Sequence, residues 1–432
     1  MTLKRIIPAF LVICTLFSLS ACKPEDADWT TNAETEAETE VPKEERLILA
    51  EDGKTDFKII RSENATGYAL DTAVAFNKKM KEEISPDFKI TDDWINPKKE
   101  SPEKEREILL FETNRAESLA AIAELDFEGY IIRVTDYKIV IVGTSPAACN
   151  EALYHFVDVL IPEHTEGGKI SFPVGLEVKA EFKSSDLDIG QALREGKTVC
   201  ADFELLFKYS AKDGFNVAQG VATDGESAYI VMKDSSGDRE VDRIIKIDMK
   251  TWEDVQESET MVLDHANDMT YDPATKQLIV TNMYDNLISI IDAETLTLVE
   301  QIKLPYGTYG AGYIDGTDNY VFLGYGSVGG VVVTDRSFNV IRATPCDPVT
   351  DYVGQGMDAD AKYAYVPLSP QSGVDHNIIQ IYDIATGEFL GNVIVKTTME
   401  SESMFHIGSD FYMHFNHSGS KIAKLEFYIR FE

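Results

Sequence analysis

The sequence predicts a multidomain chain: a two-layer α/β domain over residues 47–183, followed by an all-β propeller of five blades over residues 200–432. Two observations carry this. In the first region, apolar residues at helical spacing alternate with short β-branched runs. In the second, helical periods vanish and the sequence repeats itself every 44 to 48 residues.

Ahead of both regions lies a segment of another kind. Lys4 and Arg5 precede an apolar stretch, Ile6 to Leu19, that is too short and wrongly flanked for a spanning helix. Residues 1–21 therefore read as a secretion signal. The stretch ends in Leu19-Ser20-Ala21-Cys22, which resembles the bacterial lipobox. That resemblance implies cleavage before Cys22, lipidation of Cys22, and anchorage to the extracytoplasmic face of the cell membrane. The alternative is the same cleavage with Cys22 unmodified. A diacylated cysteine gives stable anchoring where a single chain does not. Residues 22–46, with Glu34, Glu36, Glu38 and Glu40 in alternation and Trp29 as the one aromatic, then read as an extended acidic linker.

The formal charge of -34 argues against nucleic acid and against adsorption on anionic lipid. It suits neutral partners, cations or basic ligands, and it also serves solubility. Of five cysteines, Cys14 leaves with the signal and Cys22 takes the lipid. Cys149, Cys200 and Cys346 are too widely spaced for a disulfide framework or a zinc site, so hydrophobic burial must hold the fold.

In the α/β region, strand-like runs are Phe57–Ile60, Ile108–Phe111, Tyr130–Val134 and Lys138–Val142, the last two joined as a hairpin. Ala69, Ala73, Phe76, Met80 and Ile84 mark one helix; Leu119, Ile122 and Leu125 mark a second. Cys149, Ala152, Leu153, Phe156 and Leu160 mark a third, which Ser145 and Pro146 start. The run Glu107–Arg115, the helix after it and the hairpin resemble the small α/β domain that precedes the catalytic barrel in hexosaminidases and α-glucuronidases. The resemblance covers about a third of the chain. It implies a carbohydrate setting without an active site, since that domain is not the catalytic part. Asn114 and Arg115, just past a strand end, are placed either to face a ligand or to cap the next helix.

The repeats begin at Gln219, Asn267, Ala311, Gln355 and Glu402. Such a period is that of a four-stranded propeller blade. Asp248, Asp292, Asp335 and Asp383 end the third strand of their units and are expected to bond turn amides. Leu205–Tyr209 offers an outer strand for the last blade, which would remove an open edge. "QGVATDGESAYIV" and "HANDMTYDPATKQLIVTN" resemble lines of extracellular propeller lipoproteins of the YVTN and teichoic-acid biosynthesis C-type kinds. This likeness covers about half of the chain and speaks to fold more than to function.

Repeat starts should converge on one axial mouth. This makes Gln219, His265, Asn267, Asp268, Tyr309, Gln355 and Glu402 the candidate ligand-binding residues, with pairing to neighbouring backbone as the structural alternative. Asp268, Asn267 and Glu402 offer oxygen ligands for a Ca²⁺ ion in the channel, with Asp268 and Asn267 as the metal candidates. Tyr306, Tyr309, Tyr325, Tyr352 and Phe405 are expected near the blade tops. Three functions remain open: surface binding of carbohydrate or cell-wall polymer, protein–protein scaffolding at the envelope, and glycoside hydrolysis. The last needs two placed carboxylates, for which Asp268 and Glu402 are the catalytic candidates, with Glu400 and Asp358 behind them.

Overall fold

The computed structural model describes residues 45–96, 102–210, 213–234, 241–284, 286–347, 349–371 and 373–432. The expected secretion signal, the expected lipidation site Cys22 and the acidic stretch up to residue 44 lie outside the described residues. Half the story of residues 45–432 is local patterning. β-branched runs form strands, and helical periods form helices where they were expected.

The first part contains a six-stranded mixed sheet. Its strands are β2 (Lys58–Arg61), β3 (Lys89–Asp92), β4 (Glu107–Leu110), β5 (Gly129–Val134), β6 (Lys138–Gly143) and β9 (Glu177–Glu181), in the order β3-β2-β4-β6-β5-β9. β3, β2, β4 and β6 run parallel, and β5 and β6 form the expected antiparallel hairpin. A separate small sheet joins β1 (Arg46–Glu51), β7 (Thr165–Glu166) and β8 (Lys169–Pro173). Helix α1 (Gly67–Glu83) buries Ala73, Phe76 and Met80 on one face of the main sheet. α3 (Pro146–Tyr154) starts at Ser145, whose hydroxyl accepts from the Ala148 amide, and its continuation buries Phe156 and Leu160 on that same face.

The two-layer expectation does not hold. α2 (Ala116–Ala123) covers the opposite face, where Ala121 packs with Ile60, Leu109, Ile131, Val140 and Val142. Parallel strands at the centre of a sheet carry apolar side chains on both sides and need cover on both. Leu119 accordingly points outward and is exposed, while Ser118 and Ala121 are buried in its place.

The remainder is a propeller-like all-β array of four-stranded antiparallel meanders. The first is Phe215–Thr223, Ser227–Asp234, Asp242–Asp248 and Glu253–Glu257; the second is Ala266–Asp272, Gln277–Asn282, Leu287–Asp292 and Thr297–Lys303. The third is Gly307–Tyr313, Tyr320–Tyr325, Gly330–Thr334 and Val340–Thr344. The fourth unit has a broken inner strand, Tyr352–Gly354 and Asp358–Ala359, followed by Tyr363–Pro370, Asn377–Asp383 and Phe389–Val395. In the last unit Glu400–Ile407, Asp410–Asn416 and Ser420–Ile429 are completed by β10 (Val199–Tyr209), which pairs antiparallel along Ser420–Ile429. Leu205–Tyr209 thus takes the expected outer place, and it comes from the far end of the array.

Each unit buries its faces against its neighbours. Tyr229 and Val231 of the first meet Met269 and Val280 of the second. Ile279 and Ile288 then meet Phe322 and Val332, and Val321 and Leu323 meet Met357 and Val366. Tyr365 and Ile379 meet Met413 and Phe415, and Phe405 and Ile422 return to Val221 and Ile230 of the first unit. The inner strand of the last unit therefore lies against that of the first. Asp248, Asp292, Asp335 and Asp383 each accept hydrogen bonds from turn amides, as expected of them.

The final strand also ties the array to the α/β part. Phe431 enters the core around Phe76, and its ring lies 4.7 Å from that of Tyr154. The Glu426 carboxylate accepts from the Ala147 amide at the start of α3, 3.2 Å away. Among the described residues, no helix is long and apolar enough to cross a membrane.

Candidate ligand-binding site

Four of the five repeat starts occupy one structural position; in the third unit it falls to Tyr309, two residues before the expected Ala311, which is regularly paired with Phe322. In each inner strand the antiparallel register slips there: between Ala218 and Val221, Ala266 and Asp268, Thr308 and Gly310, and Ser401 and Ser403. In the fourth unit the strand is interrupted between Gly354 and Asp358. Gln219, Asn267, Tyr309, Gln355 and Glu402 are the extra residues. A bulge re-aims a side chain that regular pleating would send elsewhere, and here the extra residues converge.

Most of that ring is closed. Asn267 donates from Nδ2 to the carbonyls of Tyr309 (2.7 Å) and Gln355 (2.5 Å), reaching two other units. Gln219 donates to the neighbouring Ala218 carbonyl, and Gln355 to Glu400 at 3.4 Å. Gln219, Asn267 and Glu402 are buried; Tyr309, Gln355 and His265 are half-buried. His265 sits beside the Lys233 ammonium, 2.8 Å from it, with backbone φ of 62°. Burial pushes the Glu402 carboxyl well above the usual range, and the neighbouring Glu400 charge adds to this.

Asp268 lies one residue further along and is fully buried. Its Oδ2 accepts from the amides of Ala311 (2.9 Å) and Met357 (2.8 Å), and its Oδ1 from the Ser403 hydroxyl (2.6 Å). One carboxylate thus latches the inner strands of the third, fourth and last units to the second. The first unit reaches it through Gly220, where a Cβ would fall 2.4 Å from the Asp268 Cα, so only glycine permits the approach. Burial drives this carboxyl above its ordinary range while the donors pull the other way. Oxygens already engaged by N–H and O–H donors make a poor cation site and a poor general acid or base. Among the described residues, no group of three His, Cys, Asp or Glu side chains is placed to hold a metal ion. The Ca²⁺ expectation on Asp268 and Asn267 and the catalytic pairing of Asp268 with Glu402 gain no geometry from this arrangement.

The open cavity lies at the other end of the inner strands. A mouth of about 250 Å³ is lined by Thr223, Thr270, Tyr271, Tyr313, Asp315 and His406, above a floor of Met269, Met357 and Met404. His406 bridges two carboxylates there: Nδ1 meets Asp358 at 2.8 Å and Nε2 meets Asp315 at 3.0 Å. Burial alone would depress this imidazolium, but the two carboxylates outweigh it and hold its pKa at about 11. Thr270 accepts from the Tyr313 amide at 2.9 Å, which fixes one wall. The Tyr271 ring packs parallel to Tyr229, with centroids 6.3 Å apart.

Sequence reasoning missed His406, Asp315, Thr270, Tyr271 and Tyr313 as site residues. The available signal was the departure of the last repeat: where the others carry Asp, it continues Phe405-His406-Ile407. Of the aromatic candidates, Phe405 lines this mouth, whereas Tyr306 is buried between units with its hydroxyl on the Phe338 carbonyl. In the α/β part, Arg115 is buried and pairs with Glu107 at 3.1 Å, and Asn114 donates to the Asp93 carbonyl. Arg115 is thus held within the fold, whereas Asn114 is exposed and lines a cavity beside Asp93.

No protein-family model and no curated protein matches this chain. Among solved structures it is similar to the glutaminyl cyclase of Myxococcus xanthus, at 10% identity and a TM-score of 0.40, over 54% of this chain and 99% of that one. It is also similar to a tail fibre of Staphylococcus aureus phage P68, at 12% identity and a TM-score of 0.38, over 56% of this chain and 54% of that one. A protein of Bacteroides fragilis described as exported matches at 10% identity and a TM-score of 0.32, over 53% of this chain and 95% of that one. At such values no residue role or activity is carried over.

Replacing Asp268 by Ala should strand two amides and a hydroxyl without acceptors, at about 1–3 kcal/mol for each buried unsatisfied donor. The denaturant midpoint should drop sharply, with Asp268→Asn falling between it and the parent; an unmoved midpoint for D268A would remove the latch from the account. His406 has a folded pKa raised from 6.5 to about 11. The stability it contributes is therefore fully present below the unfolded value and fades as pH climbs through the folded one. The stability gap between the parent and His406→Gln should shrink from neutral pH towards about pH 11. Imidazole NMR should show His406 doubly protonated at neutral pH and His414, depressed by burial to about 4, neutral. A neutral His406 under those conditions would contradict the clamp.

Proposed function

We propose that the β-array is a five-bladed propeller carried outside the cell membrane on a lipid at Cys22, and that it binds carbohydrate or cell-wall polymer without turning it over. The observation that carries this reading is the His406 mouth, a cavity open to solvent on which inner strands from every unit converge. Its walls combine hydroxyls, carboxylates and tyrosine rings, the groups that hydrogen-bond and face a sugar. Its volume, about 250 Å³, is just below the 300–1,000 Å³ usual for small-molecule pockets. That suits one saccharide unit seated at a time, with the rest of a polymer lying outside. Against hydrolysis at the ring stands the burial of Asp268 and Glu402, which offers water and substrate no approach. The α/β part adds a second carbohydrate association through its resemblance to glycoside-hydrolase accessory domains.

A second reading, an envelope scaffold, draws on the outermost strands. Val255, Val299 and Ile341 are all more than half exposed there, at 57%, 53% and 59%.

Cys22→Ser in the full chain should move the protein from the membrane fraction to the soluble extracytoplasmic one; retention in the membrane would reject the lipid anchor. A glycan array probed with the chain from Cys22 onward should give discrete positives that Tyr271→Ala weakens at least about tenfold, the size of one lost stacking contact. A blank array with folded protein, or positives indifferent to Tyr271, would reject the mouth as the binding site.

A further inference from the structure

We infer that the group seated in the His406 mouth is a protonated amine, so that the preferred polymer is a glycan with free, unacetylated amino groups. This deepens the reading above and rests on it. The lining carries Asp224, Asp315 and Asp358 against a single cation, His406. Among the described residues that line the mouth there is no lysine or arginine. Arg336, which lies beside Tyr313, is drawn instead to Asp318 at 2.8 Å and Asp272 at 3.4 Å.

The three carboxylates are not equivalent. Asp224 is spent within its own turn, accepting from the Glu226 and Ser227 amides and the Tyr229 hydroxyl. Asp358 is buried against His406, its side chain 10% exposed. Asp315 is different: one oxygen meets His406, yet its side chain is 52% exposed. It therefore presents negative charge to whatever enters, over an imidazolium that is only 8% exposed and shielded beneath. Tyr271 and Tyr313 line the same mouth, and an aromatic ring near a cation adds attraction. An anionic polymer meets the opposite: uncompensated carboxylate at the mouth and a net charge of -34 on the chain behind it. Phosphate-rich wall polymers are thus disfavoured and amino sugars favoured by the same residues.

The test is titration calorimetry on the chain from Cys22 onward with three probes of similar length: a glucosamine oligomer, its fully N-acetylated counterpart, and a glycerol-phosphate oligomer. The glucosamine oligomer should bind about tenfold tighter than the acetylated one at neutral pH, and lose that margin at high salt. Asp315→Asn should bring the two affinities together. Equal or tighter binding of the acetylated or phosphate oligomer, still weakened by Tyr271→Ala, would overturn the amine assignment and leave the mouth as a glycan site. Binding of none of the three probes, with array positives also absent, would overturn both.

Discussion

Asp268 is the constraint on which the arrangement of the β-array turns. Inner strands of a radial array present backbone edges to one another with no ladder to join them, and buried amides without partners are costly. A carboxylate is acceptor-only and has several lone pairs, so it can satisfy donors arriving from several directions at once. Asp268 does so for Ala311, Met357 and Ser403, from three other units. Asn267 complements it by donating to the Tyr309 and Gln355 carbonyls. Together the two adjacent side chains supply acceptors and donors to a hub that is otherwise backbone.

That latch also decides where a ligand can go. With the axis occupied by Asp268, the bulge ring lies on one side of it and the carboxyl ends of the inner strands form a cup on the other. The methionines at 269, 357 and 404 form its floor. His406 then works as a fixed element of the wall, its two ring nitrogens committed to Asp358 and Asp315. A preorganised polar wall over an apolar floor is the usual composition of a small-molecule site.

The two parts of residues 45–432 are tied together by the last strand of the array and the residues that follow it. Ser420–Ile429 is held on one side by β10 and on the other by its own unit, and beyond it Phe431 completes the core of the α/β part. Packing density in such a core leaves little slack.

The amino-acid sequence by itself determined what depends on near neighbours. Periods of 3.6 and 2 placed the helices and strands, the Asp-led turns were legible as turns, and the internal repeat announced the array. Even the outer strand at Leu205–Tyr209 was marked by being left over. Tertiary structure decided the rest. Whether α2 lies on the same face as α1 or the opposite one depends on how the chain crosses the sheet, and both faces of parallel strands read as apolar. Gln219, Asn267, Asp268 and Glu402 were conspicuous as polar residues in strand starts, yet polarity there fits a ring of ligand groups and a ring of backbone partners equally well. Only the distances, two amides and a hydroxyl on one carboxylate, separate the two. His406, Asp315 and Asp358 are far apart along the chain, and no spacing rule links them; they become a site because three strands end at one mouth.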